Sequence, residues 1–172
     1  MSIITHDKIL NEMQKGNIKI EPFIKTQLGP ASVDLHLGNV FRVFKKEKEI
    51  INVNSKTDVE KITTLVKVKK GKNLLLKPGQ TVLGITIEKI TLSPNICGWL
   101  EGRSRYSRVG LAVHTTASFM QPGISNHQVL EITNVGSSTV ALHPGTPICQ
   151  FIFERCEGEA VYKGKYKNQT TP

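Results

Sequence analysis

The sequence predicts a mainly β protein, a distorted jelly roll or β-barrel that follows a short N-terminal helix. Three observations lead there. Short runs rich in β-branched and aromatic residues recur at near-regular spacing, turn signals separate them, and helical periodicity stops at Gly16.

In the helix, Thr5 takes the N-cap position, Asp7 falls in the first turn, Ile9, Leu10 and Met13 form the apolar stripe, and Gly16 provides the exit. Residues 32–37 alternate, with Val33, Leu35 and Leu37 on one face and Asp34 and His36 on the other. Val40–Phe44 and residues 62–68 read as short strands. Leu74–Leu76 leads into the turn Lys77-Pro78-Gly79, and residues 81–87 form the next strand. Val140–Leu142, His143-Pro144-Gly145 and residues 148–153 repeat that pattern of strand, Pro-Gly turn and strand. Both turns read as hairpins, which hints at an internal duplication. No Gly/Ser-rich linker divides the chain, so one domain spanning 1–172 is expected. The tail, 163–172, is polar and lacks large aliphatics, the composition of a disordered end.

At 172 residues the chain is long enough to bury a core, and 38% hydrophobic with 22% charged residues excludes wholesale disorder. No apolar run reaches the roughly 18–20 residues that span a bilayer. Thr5, His6, Asp7 and Lys8 make the N-terminus too polar for a signal peptide, so a cytoplasmic protein without a membrane partner is expected. Cys97, Cys149 and Cys156 are odd in number and lack Cys-x-x-Cys spacing, which predicts reduced structural thiols and no zinc. Lys and Arg number 23 against 14 Asp and Glu, a net charge of +9 that points to an anionic partner. Lys45, Lys46, Lys48, Lys67, Lys69, Lys70 and Lys72 read as solvated strand faces and turns. Aromatic residues are only 6% and Trp99 is the single tryptophan, so nucleic acid finds little to stack on.

Three features carry chemistry. Gly102-Arg103-Ser104-Arg105-Tyr106-Ser107-Arg108 gathers guanidinium groups and hydroxyls suited to phosphate oxygens, although a solvated basic turn explains it equally. The P-loop pattern is absent. Glu131 stands in the apolar run Val129-Leu130-Glu131-Ile132, where a carboxylate either has a partner or a task, or faces outward by alternation. His114 reads as a hydrogen-bonded core histidine. The zinc-deaminase, His-Glu-x-x-His and Gly-x-Ser-x-Gly patterns are all missing. Gln121-Pro122-Gly123 and Asn134 with Gly136 read as turns.

Together these pieces resemble the dCTP deaminase branch of the dUTPase superfamily. The resemblance rests on Glu101-Gly102-Arg103-Ser104-x-x-x-Arg108-x-Gly110-Leu111, His114-x-Thr116-Ala117, Pro122-Gly123 and Val129-Leu130-Glu131. Residues 31–38 with Phe41-Arg42 resemble the family's N-terminal segment, and Tyr162 with Lys165-Tyr166-x-Asn168-Gln169 its C-terminal lid. The resemblance implies a dUTPase-like jelly roll in a homotrimer, with residues 162–172 as a flexible lid. It implies hydrolytic deamination of dCTP to dUTP and ammonia without a catalytic metal, Mg2+ accompanying the triphosphate. By position, Glu131 becomes the base and proton shuttle, with Ser104 and Arg108 beside the reacting centre. Arg103, Arg105, Tyr106, Ser107 and Gln150 fall on the phosphate side. Ala117, Gln121, Val129 and Leu130 border the base and sugar, and Tyr162, Lys165 and Gln169 close over the triphosphate. One carboxylate can take and return the proton if partial burial between Leu130 and Ile132 adjusts it for both.

The family usually carries Asp where Gln121 stands, a residue tied to the sugar and, in diphosphatases, to the attacking water. An amide cannot serve as a carboxylate base, so dUTP is the expected end product. Asn126 replaces a turn glycine, and left-handed geometry is expected there. A bifunctional enzyme that also acts on dUTP, a dUTPase alone, and a non-catalytic nucleotide-binding or regulatory trimer remain alternatives, with dUTP or dTTP as alternative ligands to dCTP and a nucleic-acid module last.

Overall fold

Two-residue alternation places the apolar side chains of the strands on inner faces, and those faces meet in one core. The computed structural model describes residues 2–46, 50–54 and 57–172, so Lys48 lies outside the described residues. The helices are α1 (His6–Gln14), α2 (Val59–Ile62) and α3 (Ser104–Ser107). A five-stranded sheet holds β1 (Ser2–Ile3), β13 (Pro147–Arg155), β8 (Ile96–Gly102) and β10 (Phe119–Met120) in that order, with β3 (Val33–His36) also on β13. A six-stranded sheet runs β5 (Thr63–Lys67), β4 (Val40–Phe44), β7 (Thr81–Leu92), β11 (Ser125–Asn134) and β9 (Leu111–Val113), with β2 (Ile18–Glu21) on β7. The pairings within these strands are antiparallel.

The alternation expected in residues 32–37 is present: Val33, Leu35 and Leu37 are fully buried. Leu100, Phe151 and Phe153 from the same sheet meet Phe41, Leu130 and Ile132 from the other in a single cluster. Gly98 is required by this packing, because a Cβ there would lie 2.0 Å from Cε1 of Phe151. No described helix is long and apolar enough to cross a membrane. Cys97, Cys149 and Cys156 are free thiols, as expected, and burial pushes the Cys97 thiol up to about 12.

The hairpin reading of the two Pro-Gly turns is corrected. Neither turn joins strands that pair with each other. Instead β6 (Leu74–Leu76) and β12 (Val140–Leu142) pair with one another in a separate two-stranded sheet, while β7 and β13 continue into different sheets. Each Pro-Gly turn is a corner between sheets, so the like turns mark like corners. The strand beginning at Thr81 also runs on to Leu92 instead of ending near residue 87.

The tail departs from its composition. Ser125 N and His127 N donate to the carbonyls of Lys167 and Gln169 at 3.4 and 3.1 Å, and Tyr162 N donates to Pro122 O at 2.9 Å. Asn126 is a buried β11 residue whose Nδ2 donates to Tyr166 O at 2.7 Å, and the left-handed geometry expected of it is absent. Arg42 donates to the Pro172 carbonyl. Main-chain hydrogen bonds, which composition does not report, lay the segment along the start of β11.

Helix α1 is anchored by Ile9 in the core and by a buried carboxylate. Glu12, 4% exposed, accepts from Asn17 Nδ2 at 2.7 Å and from Lys15 Nζ at 3.2 Å, and forms an ion pair with Arg155 Nη2 at 3.1 Å. The Asn17 hydrogen bond first, then Lys15 and Arg155, hold its carboxyl below the usual range against the opposing effect of burial. A carboxyl depressed in the folded state stabilises above its unfolded value, and that stability is lost as pH falls through the folded one. Glu12→Gln should therefore cost about 1–3 kcal/mol at pH 7. The difference from the parent should shrink below about pH 4, as measured by urea unfolding across pH.

Candidate active site

Strand β11 pairs with β7 along most of its length and with β9 at its end, so its face is set on both flanks. Leu130 and Ile132 are fully buried and point into the core. Glu131 therefore projects from the opposite face with Val129 and is half-buried. Glu131 is partly buried, as expected, but not by Leu130 and Ile132, which alternation turns away from it. Glu131 instead opens into a cavity of about 460 Å³. Ala117, Gln121, Val129, Tyr162 and Gln169 also line it, so five residues assigned by resemblance converge there with Glu131. Glu131 is the only acidic residue of the lining. Leu130 contributes its side chain to the core, not the cavity.

A tight turn spans residues 114–117 beside the carboxylate. His114 is the only described non-glycine residue with positive φ, at 55°. Its backbone N–H donates to Glu131 O at 2.7 Å and its ring Nε2 bonds Ala117 O at 2.9 Å. The expected buried, hydrogen-bonded histidine is found. Its Nδ1 is buried without a partner. Burial pushes the His114 pKa down against the Ala117 carbonyl, Glu131 and Glu101. The neutral ring with its proton on Nε2 satisfies this geometry. Next along the turn, the Thr116 hydroxyl donates to Oε2 of Glu131.

The basic loop follows β8 and is built differently. Arg103 pairs with Asp34 at 3.1 Å and donates to Pro147 O at 3.2 Å. Gln150 accepts from the Ser32 hydroxyl at 2.8 Å and reaches Gly102 O at 3.4 Å, so it lies against the root of this loop. Asp34 has its pKa raised by burial, opposed by Arg103 and His36. Ser104, Arg105, Ser107 and Arg108 are exposed, and Tyr106 packs against the core. Arg105 and Arg108 have no ion-pair partner among the described residues. No residue of 103–108 lines the Glu131 cavity, and neither does Gln150 or Lys165, whose Nζ stands 5.5 Å from the Tyr166 ring.

Sequence reasoning missed several residues. Phe119, backed by Trp99 at 5.0 Å between ring centroids, and His127 line the cavity. An isolated aromatic just before the Gln121 turn was the available signal for Phe119. Asp34, the partner of Arg103, was visible only as the polar face of an alternating strand. Among the described residues no three His, Cys, Asp or Glu gather as ligands for a metal.

A family model described as dCTP deaminase-like matches residues 3–156. The chain is 35% identical over 177 residues to the dUMP-forming dCTP deaminase of Mycolicibacterium gilvum, covering 99% of this chain and 93% of that protein. It is 36% identical over 179 residues to the dCTP deaminase of Thermomicrobium roseum, covering 99% and 91%. Among solved structures, the 2'-deoxycytidine 5'-triphosphate deaminase of Agrobacterium tumefaciens is similar with a TM-score of 0.68 at 18% identity; the match covers 90% of this chain but 48% of that one. A dUTPase from Staphylococcus bacteriophage 80alpha reaches a TM-score of 0.52 at 11% identity, covering 86% and 96%. Both structural likenesses are of fold.

His114 makes one part of this site titratable. Its folded pKa lies below its unfolded value, so protons favour the unfolded chain and stability falls as pH drops through the ordinary histidine range. His114→Asn, which tolerates the left-handed backbone, should flatten the dependence of melting temperature on pH between about 7 and 5.

Proposed function

Because this chain belongs to the dCTP deaminase-like family, we propose that it hydrolyses the 4-amino group of dCTP, releasing dUTP and ammonia. The observation that carries this reading is Glu131, the only acidic side chain among the described residues that line a cavity shared with residues of the family motifs. Water adds to C4 of the cytosine ring and gives up a proton to Glu131. The carboxyl returns it to the amino nitrogen, the C4–N bond breaks, and the second water proton passes to ring N3, leaving a C4 carbonyl, an N3–H and ammonia. Ser104 and Arg108 act beside the reacting centre. Arg103 and Arg105, with Tyr106, Ser107 and Gln150 around them, form the phosphate side. Tyr162, Lys165 and Gln169 form a lid over the triphosphate. Magnesium enters with the triphosphate as part of the substrate; the described residues offer it no ligand cluster of their own.

The same reading calls for a homotrimer. In one chain the Arg103–Arg108 loop and the Glu131 cavity are separate, and a symmetric neighbour brings the two halves together. Light scattering should give about three times the chain mass; an active monomer would contradict the shared site.

The product depends on Gln121. It lines the cavity where the family's Asp would stand, and a neutral amide lacks the basicity to activate water toward a phosphate. That observation favours dUTP as the end product. The names of several relatives, dCTP deaminase, dUMP-forming, favour a second reading in which the chain also cleaves between the α and β phosphates. Incubation with dCTP, nucleotide chromatography and an ammonia assay separate the two. The expected outcome is ammonia with accumulating dUTP, and stoichiometric dUMP with pyrophosphate establishes the second reading. Glu131→Gln should lower ammonia release at least ~100-fold while dCTP still binds.

A further inference from the structure

A carboxylate that both takes and returns a proton must present one oxygen to the water and then to the amine in a constant direction. Its terminal torsion is broad and roughly two-fold, so burial alone does not set that direction. The two oxygens of Glu131 are treated differently. Oε2 accepts from the Thr116 hydroxyl, whereas Oε1 has no hydrogen-bond partner among the described residues. Thr116 is itself well placed to hold a direction. It is β-branched and stiff at χ1, and its turn is tied to Glu131 twice. One tie is this hydroxyl, and the other is the bond from His114 N to Glu131 O at 2.7 Å. The His114 ring closes the same turn on Ala117 O at 2.9 Å.

We propose that Thr116 is a positioning residue for the proton shuttle, holding Oε2 of Glu131 so that Oε1 carries the proton between water and the departing amine. This rests on the deaminase reading of the site. Thr116 touches no reacting atom; it acts through the plane of the carboxylate. The hydroxyl carries the contact, and the methyl adds only stiffness at χ1. Thr116 is exposed, so its replacement leaves the core intact.

Steady-state dCTP deamination, read as ammonia, tests this with Thr116→Val, Thr116→Ser, Glu131→Gln and the Glu131→Gln/Thr116→Val double variant. Thr116→Val should lower kcat ~10–100-fold with the KM for dCTP changed less than ~3-fold. Thr116→Ser should recover most of the loss. In the Glu131→Gln background, Thr116→Val should cost nothing further, because the group it orients is gone. A Val variant within twofold of the parent in kcat, a Ser variant as slow as Val, or an undiminished Val effect in the double variant each overturns the proposal. Failure of the underlying reading looks different: the parent releases no ammonia, or Glu131→Gln retains full rate, and the role of Thr116 falls with it.

Discussion

A strand bonded on both flanks cannot slip by one residue without turning its whole apolar set outward. β11 is in that position, paired with β7 on one side and β9 on the other. Its register is held further by Asn134, which is fully buried. Its Nδ2 donates to Leu76 O and Ser138 O at 2.9 and 2.8 Å, and its Oδ1 accepts from Gly136 N at 3.0 Å. With Leu130 and Ile132 committed to the core, Glu131 has one side left to occupy, and every wall of the cavity is arranged around that side. β10 brings Phe119, the Gln121-Pro122-Gly123 turn brings Gln121, and the tail brings Tyr162 and Gln169. The side on which Glu131 stands thus follows from a packing constraint on two aliphatic residues.

The local parts of this arrangement were readable in the sequence because their signals are local. Val33, Leu35 and Leu37 alternate, α1 ends at a glycine with φ of 77°, and Asn134 sits where turn chemistry places it. The errors share a physical origin. A Pro-Gly turn reveals that the chain reverses, yet the partner of each flanking strand is decided by distant residues, and β6 chose β12. Likewise the tail has almost no apolar side chains to announce it, and its order comes from carbonyls that any residue could supply. Glu131 was ambiguous for the opposite reason. Alternation gave its face correctly, but whether that face meets solvent or a cavity depends on segments far away in sequence.

The two halves of the site also differ in how they are held. Glu131 itself is held by the strand pairing of β11 and by the hydrogen bonds of the 114–117 segment. The basic loop is held mainly at its root, where Arg103 is occupied by Asp34 and the Pro147 carbonyl. A short α3, closed by the Ser107 hydroxyl on Ser104 O at 3.0 Å, then presents the remaining side chains outward. Rigid groups suit the bond-breaking end of a substrate, where small displacements are costly. Exposed guanidinium groups suit the triphosphate end, where charge neutralisation tolerates more freedom.

That division assigns part of the chain's excess of positive charge. An arginine already paired with a carboxylate contributes little net attraction to an incoming anion, and Arg103 is in that state through Asp34. In the single chain its forked donors also orient the loop, a structural task that lysine, with a single ammonium, would perform less well. Arg105 and Arg108 have no acidic partner among the described residues, so their full charge faces solvent in one chain. Left alone, such charges are well hydrated and cost the fold nothing. In the proposed trimer, brought beside the Glu131 cavity, they would complement a triphosphate. In the proposed trimer, charge and base are set separately by local structure within one chain and would meet only on assembly.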